Sequence, residues 1–184
     1  MSQSEKQVLV VVDMQNDFIT GTLGSEAAQA VVGRVCEKIR AFEGGIVFTM
    51  DTHLEDYLNT QEGERLPVKH CIANTEGWAP NAGVWMALMA RSAADEAHMV
   101  CKDTFGAVEL PLRITELFGE GVEQITLVGL CTDICVISNA MLLKAFFTKP
   151  RIVVDASCCA GVTQESHLTA LAAMRGCQID VENG

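Results

Sequence analysis

Residues 128–136 read Val-Gly-Leu-Cys-Thr-Asp-Ile-Cys-Val and join an apolar run to an amphipathic one. The run before this segment is rich in β-branched side chains, which is typical of a buried strand. The residues after it carry apolar side chains at helical spacing, which predicts a helix. Gly129 is expected to end the strand, and Thr132 or Asp133 to cap the helix. This junction therefore predicts a fold built from strand–helix units.

The same alternation continues in both directions along the chain. Such alternation predicts an α/β fold with a doubly wound, Rossmann-like parallel sheet and right-handed crossovers. Residues 51–77 are polar and lack a regular apolar pattern, and a loop of this length in a compact domain is usually functional or disordered. The predicted strands are residues 8–12, 46–50, 99–101, 124–128, 151–155 and 177–181. The first predicted helix begins at Ser25 and Glu26 and ends at the Gly44-Gly45 pair, and the others are residues 80–91, 110–117, 134–147 and 164–175.

The length of 184 residues and the 49% hydrophobic content predict a single domain, residues 1–184, with a core that needs no disulfides. A net charge of −11 argues against a nucleic-acid partner. No apolar run is long enough to span a membrane, and residues 1–7 lack the apolar core of a signal peptide. We therefore expect a cytoplasmic protein that binds neither nucleic acid nor membrane and whose eight cysteines are thiols. The expected assembly is a homo-oligomer.

Reactive side chains follow four of the predicted strands. Asp13 follows the first, Asp51 and His53 the second, Lys102 the third and Cys135 the central one. Each could have a structural role alone: Asp13 could cap a turn, and Lys102 could be exposed to solvent. In doubly wound sheets, however, ligands bind beyond the carboxyl ends of the strands. The shared placement of an acid, a lysine and a thiol therefore predicts an active site.

Cys135 is the candidate nucleophile. It falls in the first turn of the predicted helix, where unpaired N–H groups and the helix dipole would stabilise a thiolate. The alternative is an ordinary buried cysteine. For the adjacent Cys158 and Cys159, burial or a tight turn is the preferred interpretation.

Four stretches of the sequence together resemble the isochorismatase-like cysteine hydrolases, a family that includes nicotinamidases and N-carbamoyl amide hydrolases. They are residues 13–18 (Asp-Met-Gln-Asn-Asp-Phe), residues 51–53 (Asp-Thr-His), Lys102 and residues 129–136, in the family's order. The resemblance implies a catalytic triad of Asp13, Lys102 and Cys135. Isochorismatases that cleave a vinyl ether lack this cysteine, so the resemblance favours an amidase-type member.

The resemblance also implies a mechanism. Cys135 would attack an amide carbon and form a thioester with release of ammonia. Asp13 would move the protons, and Lys102 would keep Asp13 anionic. The backbone N–H groups of Cys131 and Cys135 would form the oxyanion hole, with a cis peptide between Leu130 and Cys131.

A divalent metal, zinc or a similar ion, is the cofactor that the resemblance implies. Its ligands would be Asp51, His53 and His70, a donor set that suits such an ion. The loop offers Glu62 or Glu64 as a fourth ligand, and Glu62 is preferred. The alternative is a metal-free relative whose histidines only make hydrogen bonds.

The expected substrate is a small primary amide, with nicotinamide as the leading candidate, pyrazinamide as its analogue and NAD salvage as the role. Phe18, Trp78 and Phe105 are the predicted substrate contacts. Many nicotinamidases have a tryptophan shortly before the second metal histidine, but residues 66–70 here read Leu-Pro-Val-Lys-His, which leaves the acyl group open. An N-carbamoyl or aliphatic amide that does not touch the metal is the alternative substrate.

Two alternatives lie outside amide hydrolysis. One is a redox-active thiol protein that uses Cys131 and Cys135, and the other is a catalytically silent scaffold of the same fold. Asp13 and Lys102 argue against both, because neither needs a carboxylate at a strand end together with a lysine.

Overall fold

The structure, a computed structural model, describes residues 6–184; residues 1–5, part of the segment predicted to lack a signal peptide, lie outside the described residues. The strands are β1 (Gln7–Val12), β2 (Gly45–Asp51), β3 (Met99–Lys102), β4 (Gln124–Leu130), β5 (Arg151–Ala160) and β6 (Asp180–Glu182). The α-helices are α1 (Asn16–Ile19), α2 (Glu26–Ala41), α3 (Gln61–Arg65), α4 (Ala82–Met89), α5 (Leu110–Phe118), α6 (Ile137–Phe146) and α7 (Gln164–Gly176).

All six strands are parallel and form one sheet in the order β3-β2-β1-β4-β5-β6. The chain moves outward from β1 in one direction and then in the other, so the β1–β4 boundary is the point where a doubly wound sheet binds its ligand. The apolar residues of α2 and α4 pack on one face of the sheet, and those of α5, α6 and α7 pack on the other. The predicted α/β fold is confirmed.

The central junction differs from the prediction. Strand β4 does not end at Gly129 but continues to Leu130. A Cβ at Gly129 would lie 2.1 Å from the carbonyl oxygen of Val12, and the backbone φ there is +119°, so the close approach of β1 requires glycine. A π-helical turn, Thr132–Val136, then precedes α6, and neither Thr132 nor Asp133 caps it.

The boundaries of other elements also differ from the prediction. Strand β5 extends to Ala160, so Cys158 and Cys159 are buried strand residues and not part of a turn. Strand β6 is shorter than predicted. The polar segment 51–77 contains a 3₁₀ turn at Tyr57–Asn59 and the short helix α3, whose first turn is capped by Thr60. Within residues 6–184, no helix has both the length and the apolar character required to cross a membrane.

Candidate active site

The strand register brings the predicted site residues together. Val12 pairs with Thr49 of β2 and Gly129 of β4, and Asp51 pairs with Lys102 of β3. Because the strands are parallel, the residues at and just beyond these positions lie at one edge of the sheet.

The Lys102 ammonium lies at the centre of this edge. Its Nζ lies 2.7 Å from Asp13 Oδ2, 2.9 Å from Asp51 Oδ1 and 3.5 Å from Cys135 Sγ. All four side chains are buried. The acid, the lysine and the thiol that the sequence placed at separate strand ends therefore form one cluster.

Asp13 is held in an uncommon geometry. Its φ is +47°, a left-handed conformation that non-glycine residues adopt chiefly in turns and functional sites. The Thr49 hydroxyl donates to Asp13 Oδ1 at 2.6 Å, while Oδ2 faces Lys102. The sequence analysis missed Thr49; its only signal was a single hydroxyl in an otherwise apolar strand.

Burial determines the protonation of this cluster. Burial raises the pKa of the Asp13 carboxyl, and the nearby Lys102 ammonium opposes that rise. Burial also raises the pKa of the Cys135 thiol well above its usual value; the negative charge of Asp13 adds to the rise and Lys102 opposes it. This direction favours the thiol form of Cys135 in the resting protein, whereas the sequence predicts a thiolate stabilised by a helix N-terminus.

A second cluster adjoins the first through Asp51. Ligand atoms of Asp51, His53 and His70 all lie within 4.8 Å of one another, and all three residues are buried. Asp51 Oδ2 is 3.0 Å from His53 Nε2 and 3.4 Å from His70 Nε2. Glu62 Oε1, from α3, is 3.7 Å from each of these nitrogens, whereas Glu64 is exposed. The geometry thus favours Glu62 over Glu64 as the fourth donor.

The two histidines fit the chemistry of a metal site. His70 Nδ1 lies 2.9 Å from the Val68 carbonyl oxygen, and donation to that oxygen leaves a lone pair on Nε2 that faces the cluster. His53 Nε2 is buried and has no hydrogen bond within the described part of the chain. Two imidazole nitrogens with a buried carboxylate are donors that suit a divalent ion.

Gln15 and Tyr57 support this cluster, and the sequence analysis missed both. Gln15 is fully buried; its Nε2 donates to the Asp51 carbonyl at 2.8 Å and its Oε1 accepts from the Asp51 N–H at 2.7 Å. The Tyr57 ring centroid lies 4.6 Å from that of His53 and 4.9 Å from that of His70. Gln15 lies in the quoted motif and could have been suspected, but Tyr57 carried no signal.

Cys135 of the first cluster and Asp51, His70 and Glu62 of the second line one cavity of about 400 Å³, whereas Asp13, Lys102 and His53 lie behind its wall. Two of the three predicted substrate contacts, Phe18 and Phe105, line this cavity, and the Phe18 ring centroid lies 5.6 Å from that of His70. The third, Trp78, is not among the lining residues; its indole N–H donates to the Thr52 hydroxyl at 2.9 Å. The remaining apolar wall includes Leu23, Ala28, Leu66, Leu130, Ile134, Ala160 and Val162, which the sequence analysis had not singled out.

The backbone near Cys135 agrees with one further prediction. The peptide bond between Leu130 and Cys131 is cis. Cys131 and Cys135 both line the cavity.

The family profile named Isochorismatase domain matches residues 7–183. The chain belongs to the isochorismatase family. The match covers nearly the whole chain and confirms the resemblance that the four motifs indicated.

Several relatives within the family carry a more specific name. The nicotinamidase/pyrazinamidase of Mycobacterium tuberculosis is 26% identical over 186 residues, covering 95% of this chain and 97% of the relative. The crystal structure of nicotinamidase/pyrazinamidase PncA from Bacillus subtilis has a TM-score of 0.83 at 26% identity and covers 96% and 98% of the two chains. The pyrazinamidase of Pyrococcus horikoshii, solved in complex with zinc, has the same fold, with a TM-score of 0.74 at 23% identity over 96% and 98% of the chains.

Proposed function

We propose that this protein is a cysteine-dependent amidohydrolase that converts nicotinamide to nicotinate and ammonia. The observation that carries the proposal is the position of Lys102 Nζ, which contacts the carboxylate of Asp13, the thiol of Cys135 and the carboxylate of Asp51. A proton-transfer pair thereby adjoins a potential metal centre beside one cavity. Family membership and the nicotinamidase relatives support the hydrolase class.

The first half of the reaction releases ammonia. Asp13 takes the proton of Cys135 as the sulfur attacks the amide carbon, and it then donates that proton to the leaving nitrogen. The carbon–nitrogen bond breaks, ammonia departs and the acyl group remains on sulfur as a thioester. Because the pKa of Asp13 is raised, its carboxylate is a suitable acceptor and donor for one proton.

The second half restores the enzyme. Asp13 takes a proton from water as the water oxygen attacks the thioester carbon, and the sulfur leaves and regains that proton. In both halves the N–H groups of Cys131 and Cys135 would stabilise the oxyanion, and one such donor contributes about 2.7–4 kcal/mol to the transition state. Lys102 keeps a positive charge beside Asp13 throughout.

Asp51, His53, His70 and Glu62 would hold the divalent metal, with zinc as the proposed ion. When bound, the metal would supply a Lewis acid able to accept the ring nitrogen of a pyridine or pyrazine amide. These four residues would thereby orient the ring of the substrate so that its amide group faces Cys135.

The charge of the cavity favours a neutral amide. Asp51 and Glu62 line it, and no lysine or arginine among residues 6–184 does. An N-carbamoyl amino acid would bring its own carboxylate into this surrounding, where no lysine or arginine side chain pairs with it and where Asp51 and Glu62 offset the charge of the proposed metal. A flat aromatic amide instead fits the apolar surfaces of Phe18 and Ile134.

A redox role receives less support from the structure. Burial and the neighbouring Asp133 raise the pKa of the Cys131 thiol to about 12, so at neutral pH it is not the thiolate that thiol exchange requires. The hydrolytic function remains the proposal.

Ammonia release from nicotinamide, pyrazinamide, benzamide and an N-carbamoyl amino acid tests the proposal, with the Cys135→Ala variant as the blank. We expect turnover of the first two and a kcat/KM for benzamide at least about tenfold lower, because benzamide lacks the ring nitrogen and a lost specific contact of ~1.4 kcal/mol corresponds to that factor. Equal rates for nicotinamide and benzamide, or a preference for the carbamoyl compound, would contradict the nicotinamidase assignment.

A further inference from the structure

Asp17 is the one acidic residue of the motif 13–18 that the proposed reaction does not use. It lies in α1, its exposed fraction is 9%, and no cationic side chain in residues 6–184 forms an ion pair with it. Burying a carboxylate without a cation is costly unless other donors satisfy it. Its side-chain partners are two backbone N–H groups, of Cys71 at 2.7 Å and of Thr22 at 3.4 Å.

The Cys71 contact is the short one, and Cys71 is the residue that links the two histidines. Its nitrogen belongs to the peptide group that follows His70, and its carbonyl accepts from the His53 N–H at 2.9 Å. Its φ is +46°, a left-handed conformation that is uncommon for a residue with a side chain. The Asp17 carboxylate thus holds the turn through which the backbone of His70 is joined to the backbone of His53.

Two glycines enclose the carboxylate. A Cβ at Gly77 would lie 2.2 Å from Asp17 Oδ2, and a Cβ at Gly21 would lie 2.5 Å from Oδ1. The Asp17 N–H also donates to the Gly77 carbonyl at 2.9 Å. The backbone therefore approaches the carboxylate from both sides and leaves it little room to change its rotamer.

We propose that Asp17 is a positioning residue of the metal centre. By accepting the Cys71 N–H, its carboxylate holds the His70–Cys71 turn so that His70 Nε2 faces Asp51, 3.4 Å away. The inference rests on the metal site of the proposed function, and it assigns Asp17 no contact with metal or substrate. Charge-assisted hydrogen bonds of this kind are the stronger ones, and partners that orient metal ligands commonly govern metal affinity.

The test measures zinc affinity directly. Metal-free protein is titrated with Zn²⁺ in competition with a chromophoric chelator, so the readout does not depend on catalysis. The Asp17→Asn variant keeps the shape of the side chain but places an NH₂ group opposite one of the two N–H donors. We expect its Kd for zinc to rise by about 10–100-fold, the usual effect of losing such a partner.

Asn16→Ala is the matched control. The half-buried Asn16 donates through its side-chain amide to the Glu76 carbonyl at 2.8 Å, in a solvent-exposed hydrogen bond on the same loop but away from the His70–Cys71 turn. We expect the zinc affinity of this variant to be unchanged. Unchanged affinity in a folded Asp17→Asn protein, or an equal loss in Asn16→Ala, would overturn the inference.

Gly77→Ala supplies a second, independent variant. This variant retains the Asp17 carboxylate but places a methyl group against it, so the zinc affinity should again fall. It serves as the test if circular dichroism shows that the Asp17→Asn protein is unfolded. Normal affinity in a folded Gly77→Ala protein would also overturn the inference. If the wild-type protein binds no zinc, both the proposed metal site and the role of Asp17 are wrong. Ammonia release from nicotinamide by the wild-type protein tests the proposed hydrolase function separately.

Discussion

Two buried aspartate–lysine pairs of nearly the same length lie in different parts of the sheet. Asp13 and Lys102, at the carboxyl edge, are 2.7 Å apart, and Asp155 and Lys38, beside β5, are 2.8 Å apart. Both carboxylates are buried, but the lysines differ: the Lys102 side chain is 2% exposed and that of Lys38 is 29% exposed.

The partners of the two aspartates differ as well. Burial would raise the pKa of Asp155, but hydrogen bonds from Lys38, Asn183 and Ser157 outweigh it and lower that pKa below its usual value. Asp13 shares its lysine with other acidic groups, and burial leaves its pKa raised. A partly solvated lysine that serves one buried carboxylate stabilises the ionised form of that carboxylate, whereas a buried lysine shared among several acids leaves the pKa of Asp13 raised.

The largest expected effect is on activity: substitutions in the Asp13–Lys102 pair should lower kcat, and a substitution in the Asp155–Lys38 pair should not. Cys135→Ala, Asp13→Asn and Lys102→Met should each lower kcat by about 10⁴-fold or more, and combining them should add little because they act as one unit. Asp155→Asn should leave kcat unchanged, since that residue lies outside the cavity. Steady-state ammonia release measures both. The assignment fails if Cys131→Ala abolishes activity and Cys135→Ala does not.

A smaller effect is expected on stability: loss of Lys102 should lower the free energy of unfolding more than loss of Lys38. Lys102→Met leaves the carboxylates of Asp13 and Asp51 buried without their cation, which should cost about 3–5 kcal/mol in the free energy of unfolding. Lys38→Met should cost about 1 kcal/mol or less, because the Lys38 side chain is partly solvated and Asp155 keeps two neutral donors. Urea unfolding of chelator-treated proteins measures both values. Equal costs would mean that sharing the lysine among several acids does not distinguish the pairs.

The sequence was sufficient for the fold and for the residues at the strand ends. Runs such as residues 8–12 are typical of strands buried on both faces, and a parallel sheet brings the ends of neighbouring strands to one edge. That placement identified Asp13, Lys102 and Cys135 before any distance was known. The resemblance to the family added the metal residues and the cis peptide.

The rest depended on contacts that a pattern cannot specify. Thr49 reaches Asp13 only because of the β1–β2 register, and Asp17 reaches Cys71 only because a long loop folds back onto α1. Trp78 does not line the cavity, because an aromatic residue near a site in sequence need not face it. The sequence also does not show the burial of Cys135, which raises the pKa of its thiol and opposes the effect predicted for a helix N-terminus.

The smallest effect concerns the acid stability of the second pair. The pKa of Asp155 is lower in the folded protein than in the unfolded chain, so its contribution to stability is fully present above its ordinary pKa of 3.8 and is lost as the pH falls through the folded value. Asp155→Asn should therefore cost roughly 1.5–3 kcal/mol near pH 6, the range for hydrogen bonds to a charged group. The difference between wild type and variant should shrink steadily below about pH 4, where the wild-type carboxyl gains a proton.

Urea unfolding of the wild type and of Asp155→Asn between pH 7 and acidic pH measures this difference. Subtracting the free energy of unfolding of the variant from that of the wild type cancels the contributions of the other titrating groups. Lys38→Met is the matched control: it removes the strongest donor to Asp155, so its own pH dependence in this range should be weaker than that of the wild type. A difference between wild type and Asp155→Asn that stays constant or grows on acidification would show that the folded protein does not prefer the ionised form of Asp155. In that case the two pairs would not differ in the way that their partners indicate.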